Sequence, residues 1–110
     1  MDYRFRLWLT KNERKIFGEG PLELLKKVEE LGSLRQAAMS MEMSYSKAWK
    51  IINGIEQALE TVILERHIGG EQGGGSRLTE DAKDLMDRYE SFSIRIEKLI
   101  EQEIQDFFEE

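Results

Sequence analysis

The stretch SLRQAAMSMEMSYSKAWK, residues 33–50, contains the starts of two successive helices separated by a short turn. Ser33 and Gln36 form the S-x-x-Q pattern of a capping box, in which the serine oxygen accepts a hydrogen bond from a backbone N–H three residues later. Ser44 is a second favourable N-cap, and apolar residues at helical spacing follow it. We therefore expect one helix that begins at Ser33 and a longer one over residues 44–59.

The residues before this stretch predict a small β component and one more helix. Alternation of apolar and mostly basic side chains indicates a strand at Tyr3, Phe5, Leu7 and Leu9, with a short second strand at residues 15–17. Gly20-Pro21 is expected to open a helix, with proline at the first helical position, where its missing N–H costs nothing. Gly32 is a natural residue to end it. We also expect Met39 and Met41 to pack into the core.

The residues after it predict a glycine-tipped hairpin and a long helix. Strand signals at residues 62–64 and 77–79 flank a segment, 69–75, in which five of seven residues are glycine. Thr79 then caps a helix to about Phe108, roughly 40 Å long at 1.5 Å per residue. A helix of that length projects from so small a domain, and a second copy is the simplest partner for its apolar stripe. That stripe, the expected dimerisation surface, consists of Leu85, Tyr89, Phe92, Ile96, Leu99 and Phe107.

The order of these elements predicts the fold class, which is mainly α with a small β component. Two short helices joined by a tight turn and followed by a hairpin are typical of a winged helix-turn-helix, here with a long C-terminal dimerisation helix. We expect residues 1–79 to form the DNA-binding domain, with the recognition helix at 44–59 and the wing at 62–79. Residues 80–110 form the long helix of the same domain.

Composition and charge narrow the class of protein. Among 110 residues, 40% hydrophobic and 35% charged side chains are typical of a globular domain, and the absence of cysteine excludes disulfides. The net charge of −6 argues against nucleic acid only as an average. Residues 33–54 carry a net charge of +2, whereas residues 80–110 carry −7. Neither a signal peptide nor a membrane span is recognisable, so a cytoplasmic protein with no membrane partner is expected.

The start of the second helix of the pair carries side chains suited to a major groove. Hydroxyls, amides and lysines bind phosphates or base edges, and a helix N-terminus attracts phosphate. These expected contact residues are Ser44, Tyr45, Ser46, Lys47, Trp49, Lys50 and Asn53, with Arg35 assigned to the same surface. Tyr45, Trp49 and Asn53 could instead have a structural role in packing. Lys47 and Lys50 could instead belong to an ordinary solvent-exposed helix face.

Several spaced motifs give the chain a family resemblance. GSLRQAA at 32–38, MSYSKAW at 43–49, IE at 55–56, LER at 64–66 and LTE at 78–80 resemble the LysR-type DNA-binding region. SYSKAW with the glycine-rich wing before residues 77–79 is more similar to the N-terminal domain of molybdate-responsive ModE-type regulators. The likeness covers about residues 20–92. It implies a winged helix that dimerises through terminal helices, and it implies DNA contacts in the wing at Gly73, Gly74 and Arg77.

The same resemblance marks a departure. ModE-type regulators sense an oxyanion through a further C-terminal domain, and this sequence has no segment that would form one. We therefore expect neither molybdate nor another oxyanion to bind this chain, and no cofactor. The expected function is that of a sequence-specific regulator of transcription that binds double-stranded DNA as a homodimer.

Two other functions compete with that interpretation. Catalysis is rejected, because the sequence has a single histidine, His67, no cysteine, and no paired-histidine metal motif. The glycine run is followed by Ser-Arg rather than by the Lys-Ser/Thr of a phosphate-binding loop. The second competitor is a winged-helix module that binds proteins and has lost DNA binding. The acidic last helix and Glu71 favour it, whereas the basic recognition region does not.

Overall fold

The computed structural model describes residues 2–67 and 75–109. Within them lie two antiparallel hairpins, one of β1 and β2 and one of β3 and β4, together with four helices. This architecture confirms the predicted fold class, a mainly α winged helix-turn-helix with a small β component and a long last helix. The bounds are β1 Leu9–Lys11, β2 Arg14–Phe17, α1 Glu19–Leu31, α2 Leu34–Ser40, α3 Tyr45–Leu59, β3 Leu64–His67, β4 Gly75–Leu78 and α4 Glu80–Phe108.

Serine and threonine caps fix the starts of three helices where the sequence predicts them. The Ser33 hydroxyl accepts from the third helical N–H of α2 at 3.2 Å, and the Ser44 hydroxyl accepts from that of α3 at 3.0 Å. Thr79 caps α4 in the same way at 3.1 Å. Each bond satisfies one of the N–H groups that a helix start leaves without a partner. The two helices of the central motif are thereby held on either side of a tight turn.

The core lies between the first three helices and the base of α4. Its fully buried large side chains are Phe17, Leu24, Leu25, Val28, Leu34, Ile52, Ile55 and Ile63. Met41 packs against this core as predicted, but the prediction for Met39 is wrong, since that residue is 71% exposed. The buried positions of α2 recur at helical spacing, and Met39 falls on the opposite side of the helix.

The first helix starts two residues before the predicted position. Its N-cap is Gly18, so Pro21 is the third helical residue and not the first. Proline is tolerated there because the first four N–H groups of a helix have no intrahelical acceptor. A Cβ at Gly18 would lie 2.6 Å from the ring of Trp8, so the glycine also admits that ring.

The N-terminal segment is not the strand that its alternation predicts. Pairing begins only at Leu9, and residues 2–8 have no strand partner among the described residues. The alternation instead leaves Tyr3, Phe5 and Leu7 partly buried, whereas Arg4 and Arg6 between them are exposed. The Tyr89 hydroxyl of α4 donates to the Leu7 carbonyl at 2.8 Å. Period-two patterning therefore identified the apolar face correctly but assigned it to the wrong partner.

The wing strands lie a few residues from their predicted positions. Ile63 is buried ahead of β3, and its N–H, with that of Leu64, donates to the Glu56 carboxylate at 2.8 and 3.3 Å. The ladder of the wing starts at Leu64, which pairs with Leu78. Farther along, the Ser76 N–H donates to the Gly32 carbonyl at 2.9 Å and fastens β4 to the end of α1.

The last helix projects well beyond the core. Its 29 residues span about 43 Å at 1.5 Å per residue, and the molecule measures 64 × 28 × 23 Å. Its first turns are anchored by the buried side chains of Ala82, Met86 and Tyr89. Burial raises the pKa of Tyr89, and the Glu19 carboxylate raises it further. None of the helices that the structure describes is both long and apolar enough to cross a bilayer.

Candidate nucleic-acid interface

The outer face of α3 is a polar stripe without a carboxylate. Exposed side chains recur at the spacing of successive helical turns, at Ser46, Lys50, Asn53 and Gln57. On the opposite side of the helix, Ala48, Ile52 and Ile55 are buried in the core. The stripe therefore consists of hydroxyl, amide and ammonium groups on a rigid support, which is what contact with base edges or phosphates requires.

The first turn of α3 adds a second source of positive potential. Ser44 uses its hydroxyl to cap the helix, so that oxygen is engaged within the chain. Lys47 is exposed on the same turn and has no ion pair among the described residues. Since a helix N-terminus carries a partial positive charge, this turn favours an anion.

Two arginines stack on the aromatic residues of α3. The Arg35 guanidinium of α2 lies 4.3 Å from the centre of the Tyr45 ring, and that of Arg66 in β3 lies 4.1 Å from the Trp49 ring. Arg66 also donates to the Tyr45 hydroxyl at 2.9 Å. The two rings meet edge to face at 6.2 Å. We call these four residues the arginine–aromatic cluster.

The structure shows packing contacts for Tyr45 and Trp49, two of the residues whose role the sequence leaves open. Tyr45 and Trp49 are half-buried against the core, and their outer ring faces contact the two guanidinium groups. Cation–π contacts at exposed positions stabilise by roughly 0.5–1 kcal/mol each. The cluster therefore ties α2, α3 and the first wing strand together beside the polar stripe. Arg66 was not among the expected contact residues, although the LER motif at 64–66 contains it.

Of the predicted wing contacts, Arg77 lies within the described residues. Arg77 is exposed, but its guanidinium lies 3.3 Å from the carboxylate of Glu65 across the hairpin. An exposed pair of this kind is worth at most about 1 kcal/mol, so a phosphate can compete for the arginine. The other predicted wing contacts, Gly73 and Gly74, lie outside the described residues, as does Glu71.

A groove between α3 and the β1–β2 hairpin lies beside the C-terminal half of the stripe. It holds about 570 Å³ and includes Lys50, Asn53 and Gln57 of the stripe. The Lys11 ammonium donates to the Ala58 carbonyl at 2.7 Å and holds the hairpin against the end of α3. We call this groove between α3 and the β1–β2 hairpin the hairpin groove. Nothing in the sequence motifs had joined the hairpin to the recognition helix.

The distal half of α4 carries an exposed apolar stripe. Leu99 and Phe107 are 63% and 75% exposed, and Ile96 lines the same shallow depression. Tyr89, by contrast, is buried and packs edge to face on Phe17 at 5.1 Å, so we withdraw it from the expected dimerisation surface. Leu85 also packs against the chain's own core. The expected surface is thereby reduced to Phe92, Ile96, Leu99 and Phe107.

Comparison with known proteins agrees with this geometry. Residues 21–83 match the family described as bacterial regulatory helix-turn-helix protein, lysR family. That range includes the central helix pair, the wing and the start of α4.

Named relatives point to one kind of regulator. The chain is 36% identical over 69 residues to the transcriptional regulator ModE of Haemophilus influenzae, which covers 63% of this chain and 27% of the relative. It is 33% identical over 90 residues to the ModE of Yersinia pestis, covering 82% of the chain and 34% of the relative. A DNA-binding transcriptional dual regulator ModE of Escherichia coli K12 is 36% identical over 85 residues, covering 76% and 32%. The chain thus matches about a third of the length of these relatives, in their N-terminal part.

Proposed function

Since the chain belongs to the lysR family of bacterial regulatory helix-turn-helix proteins, we propose that it binds double-stranded DNA as a homodimer and regulates transcription. In this proposal α3 enters the major groove, and Ser46, Lys47, Lys50 and Asn53 contact bases or phosphates. Arg35 and the wing residue Arg77 contact the backbone at its sides. Oxyanion binding is not part of the proposal, because only the N-terminal part of the ModE relatives is matched.

The observation that carries the proposal is the outer face of α3. In a chain of net charge −6, this face presents lysine, serine and amide side chains and no carboxylate. Such a face carries no negative charge that would repel a phosphate, and its lysine attracts one. The acidic residues concentrate instead in α4, whose distal half projects away from the core. The charge distribution therefore favours a polyanion at α3.

The arginine–aromatic cluster supports a specific role for Tyr45 and Trp49. Both rings are held on their inner side by the core and on their outer side by a guanidinium. They are therefore better suited to orienting Arg35 and Arg66 towards the DNA than to reading bases themselves. Pre-organised arginines lose less side-chain entropy when they bind phosphate, which strengthens the contact.

The dimer proposed here rests on the distal stripe of α4. About two thirds of this helix lies beyond its last buried residue, Tyr89, and most of the large apolar side chains there are exposed. An identical helix from a second copy offers a complementary stripe related by a two-fold axis. Such a dimer presents two α3 helices, so we expect a roughly palindromic site with half-sites about one helical turn, or a multiple of one, apart.

The DNA-binding proposal is tested by fluorescence anisotropy on a random-sequence duplex and on the upstream region of the protein's own gene. We expect tighter binding to the upstream region and a steep decrease of affinity with salt on both duplexes. Lys47→Ala and Lys50→Ala should each weaken binding, with a slope lower by about 1 where the contact is a phosphate. Lys98→Ala, on the outer side of α4, is the matched control and should bind as the parent does. Absence of binding at low salt would replace this proposal with a protein-interaction module.

The dimer proposal is tested by two aspartate substitutions on one helix. Ile96→Asp places a charge in the apolar stripe and should give a monomer with weaker DNA binding. Ile94 is also exposed, at 52%, but lies on another side of α4, so Ile94→Asp should remain dimeric. Light scattering measures the molecular mass of each. A parent that is monomeric, or an Ile96→Asp variant that stays dimeric, would overturn the proposal.

A further inference from the structure

The hairpin groove concentrates positive charge. Its lining includes Lys11, Arg14 and Lys15 from the β1–β2 hairpin and Lys50 from α3. None of the described residues that line it is acidic, and amide side chains from Asn12, Asn53 and Gln57 complete it. Four cations and three amides around about 570 Å³ form a site for an anion with many oxygen atoms.

The cations of the groove divide into structural and free groups. Lys11 is bonded to the Ala58 carbonyl, and the Lys15 ammonium lies 4.8 Å from the centre of the Trp8 ring. Arg14 and Lys50 are exposed and take part in no ion pair within the described part of the chain. Lys11 thus positions the hairpin. Arg14, Lys50 and the exposed Lys15, which also has no ion pair within that part of the chain, remain available to a ligand.

A tight two-residue turn sets the geometry of the hairpin tip. Lys11 pairs with Arg14 across a two-residue turn, Asn12-Glu13, in which both residues have positive φ values of 52° and 65°. Two positive φ values are characteristic of the type I′ turn, whose twist matches that of paired strands. The tip is therefore a defined support for charged side chains.

The length of α3 indicates which anion would lie beside the hairpin groove. The 15 residues of α3 span about 22 Å, whereas the major groove of B-DNA is about 12 Å wide. When the first turns of α3 occupy the groove, its second half extends past the groove edge towards a sugar–phosphate strand. Lys50 belongs both to the polar stripe and to the hairpin groove, so the two surfaces are continuous.

We propose that the β1–β2 hairpin is a second DNA-contacting element, and that the hairpin groove binds the phosphate backbone beside the major groove that α3 enters. This inference rests on the proposed function, because it requires α3 to bind DNA. It assigns a nucleic-acid contact to Arg14 and Lys15, outside the helix-turn-helix and its wing. Contacts of this kind raise affinity on every sequence and carry no base specificity.

The test compares two double variants that remove the same charge. Arg14→Gln/Lys15→Gln removes two cations from the hairpin, and the control Arg95→Gln/Lys98→Gln removes two from exposed positions in the distal half of α4. All four substituted residues are exposed, and circular dichroism checks that each variant is folded. Binding to a labelled random-sequence duplex is measured by anisotropy over a salt series, together with the parent.

Counterion release sets the expected size of the effect. The salt slope falls by about 0.9 for each phosphate that the protein no longer neutralises, which corresponds to about an eightfold weaker affinity at 0.1 M salt. We expect the affinity of the hairpin double variant to fall by at least that factor, equally on random and upstream duplexes, and the control to match the parent. If the parent binds and both variants match it, the hairpin inference is wrong and the proposed function stands. If the parent itself fails to bind at low salt, the proposed function falls first.

Discussion

The Glu56 carboxylate joins the recognition helix to the wing, and its removal is the sharpest test of how the fold positions the site. One oxygen accepts from the N–H groups of Ile63 and Leu64 at 2.8 and 3.3 Å. Ile63 is fully buried and Leu64 is 7% exposed, so water cannot readily take the place of that acceptor. A hydrogen bond to a charged group stabilises by about 1.5–3 kcal/mol, and the longer bond contributes less.

We expect Glu56→Ala to lower the free energy of unfolding by about 2–4 kcal/mol through these two N–H groups. With a urea m-value near 2 kcal/mol/M, the midpoint should fall by roughly 1–2 M. Glu56→Gln keeps a carbonyl acceptor but removes its charge, so a decrease of about 1 kcal/mol is expected. Alanine has the higher intrinsic helix propensity, so an effect of propensity alone would have the opposite sign.

Urea denaturation followed by circular dichroism measures these changes. Glu29→Ala, at an exposed position of α1, is the matched control and should remain within about 0.5 kcal/mol of the parent. If Glu56→Ala unfolds at the parent's midpoint with the parent's m-value, the two hydrogen bonds do not hold the joint and the reasoning is refuted. Anisotropy below the unfolding transition should show weaker DNA binding for Glu56→Ala, because the wing then no longer has a fixed position beside α3.

Three further substitutions test other joints of the fold. Gly75→Ala should destabilise by about 1–3 kcal/mol, because its Cβ would lie 2.8 Å from the Gly32 carbonyl oxygen. Gly20→Ala, with open space around the new Cβ, should not, and equal thermal melts of the two would contradict the packing argument. Tyr89→Phe should cost about 0.5–1.5 kcal/mol, because it removes the hydrogen bond to the N-terminal segment. Because the pKa of Tyr89 is raised in the folded state, the greater stability of the parent should persist below pH 10 and disappear as pH rises through that folded pKa. Urea melts at neutral and alkaline pH that show the same difference between parent and variant would refute this. Glu13→Gly should stabilise by about 0.5 kcal/mol, because the strain removed at a left-handed φ of 65° exceeds the free-energy cost of the extra entropy that glycine gives the unfolded chain. Glu13→Ala should show no such gain in the same melts.

Much of the fold is predictable from the sequence because its decisive signals are local. Ser33, Ser44 and Thr79 cap helices through bonds to N–H groups three residues away, and no distant part of the chain is needed for that. The exposed face of α3 follows from the helical spacing of Ala48 and Ile52, whose burial leaves the polar residues outside. The same local rule predicts the polar stripe proposed here to contact DNA.

The errors arise where a residue's partner is distant in the sequence. The alternation at Tyr3 to Leu7 is compatible with either a strand or a segment against a helix, and α4, more than 80 residues away, decides between them. Tyr89 has the spacing of the α4 stripe, but only tertiary packing places it on Phe17 instead of at a dimer surface. Local periodicity identifies apolar faces and does not identify what covers them.

The candidate site divides in the same way. The helix pair, its caps and the polar residues at the start of α3 follow from the order of residues along the chain, because these features depend on contacts within one turn of helix. Only the tertiary structure brought Arg35 and Arg66 onto the rings of Tyr45 and Trp49, and the β1–β2 hairpin against the end of α3. These contacts join residues that lie between 10 and 47 positions apart, as for Arg35 with Tyr45 and Lys11 with Ala58. Their formation depends on how the helices pack around the core, which a pattern read along the chain does not specify.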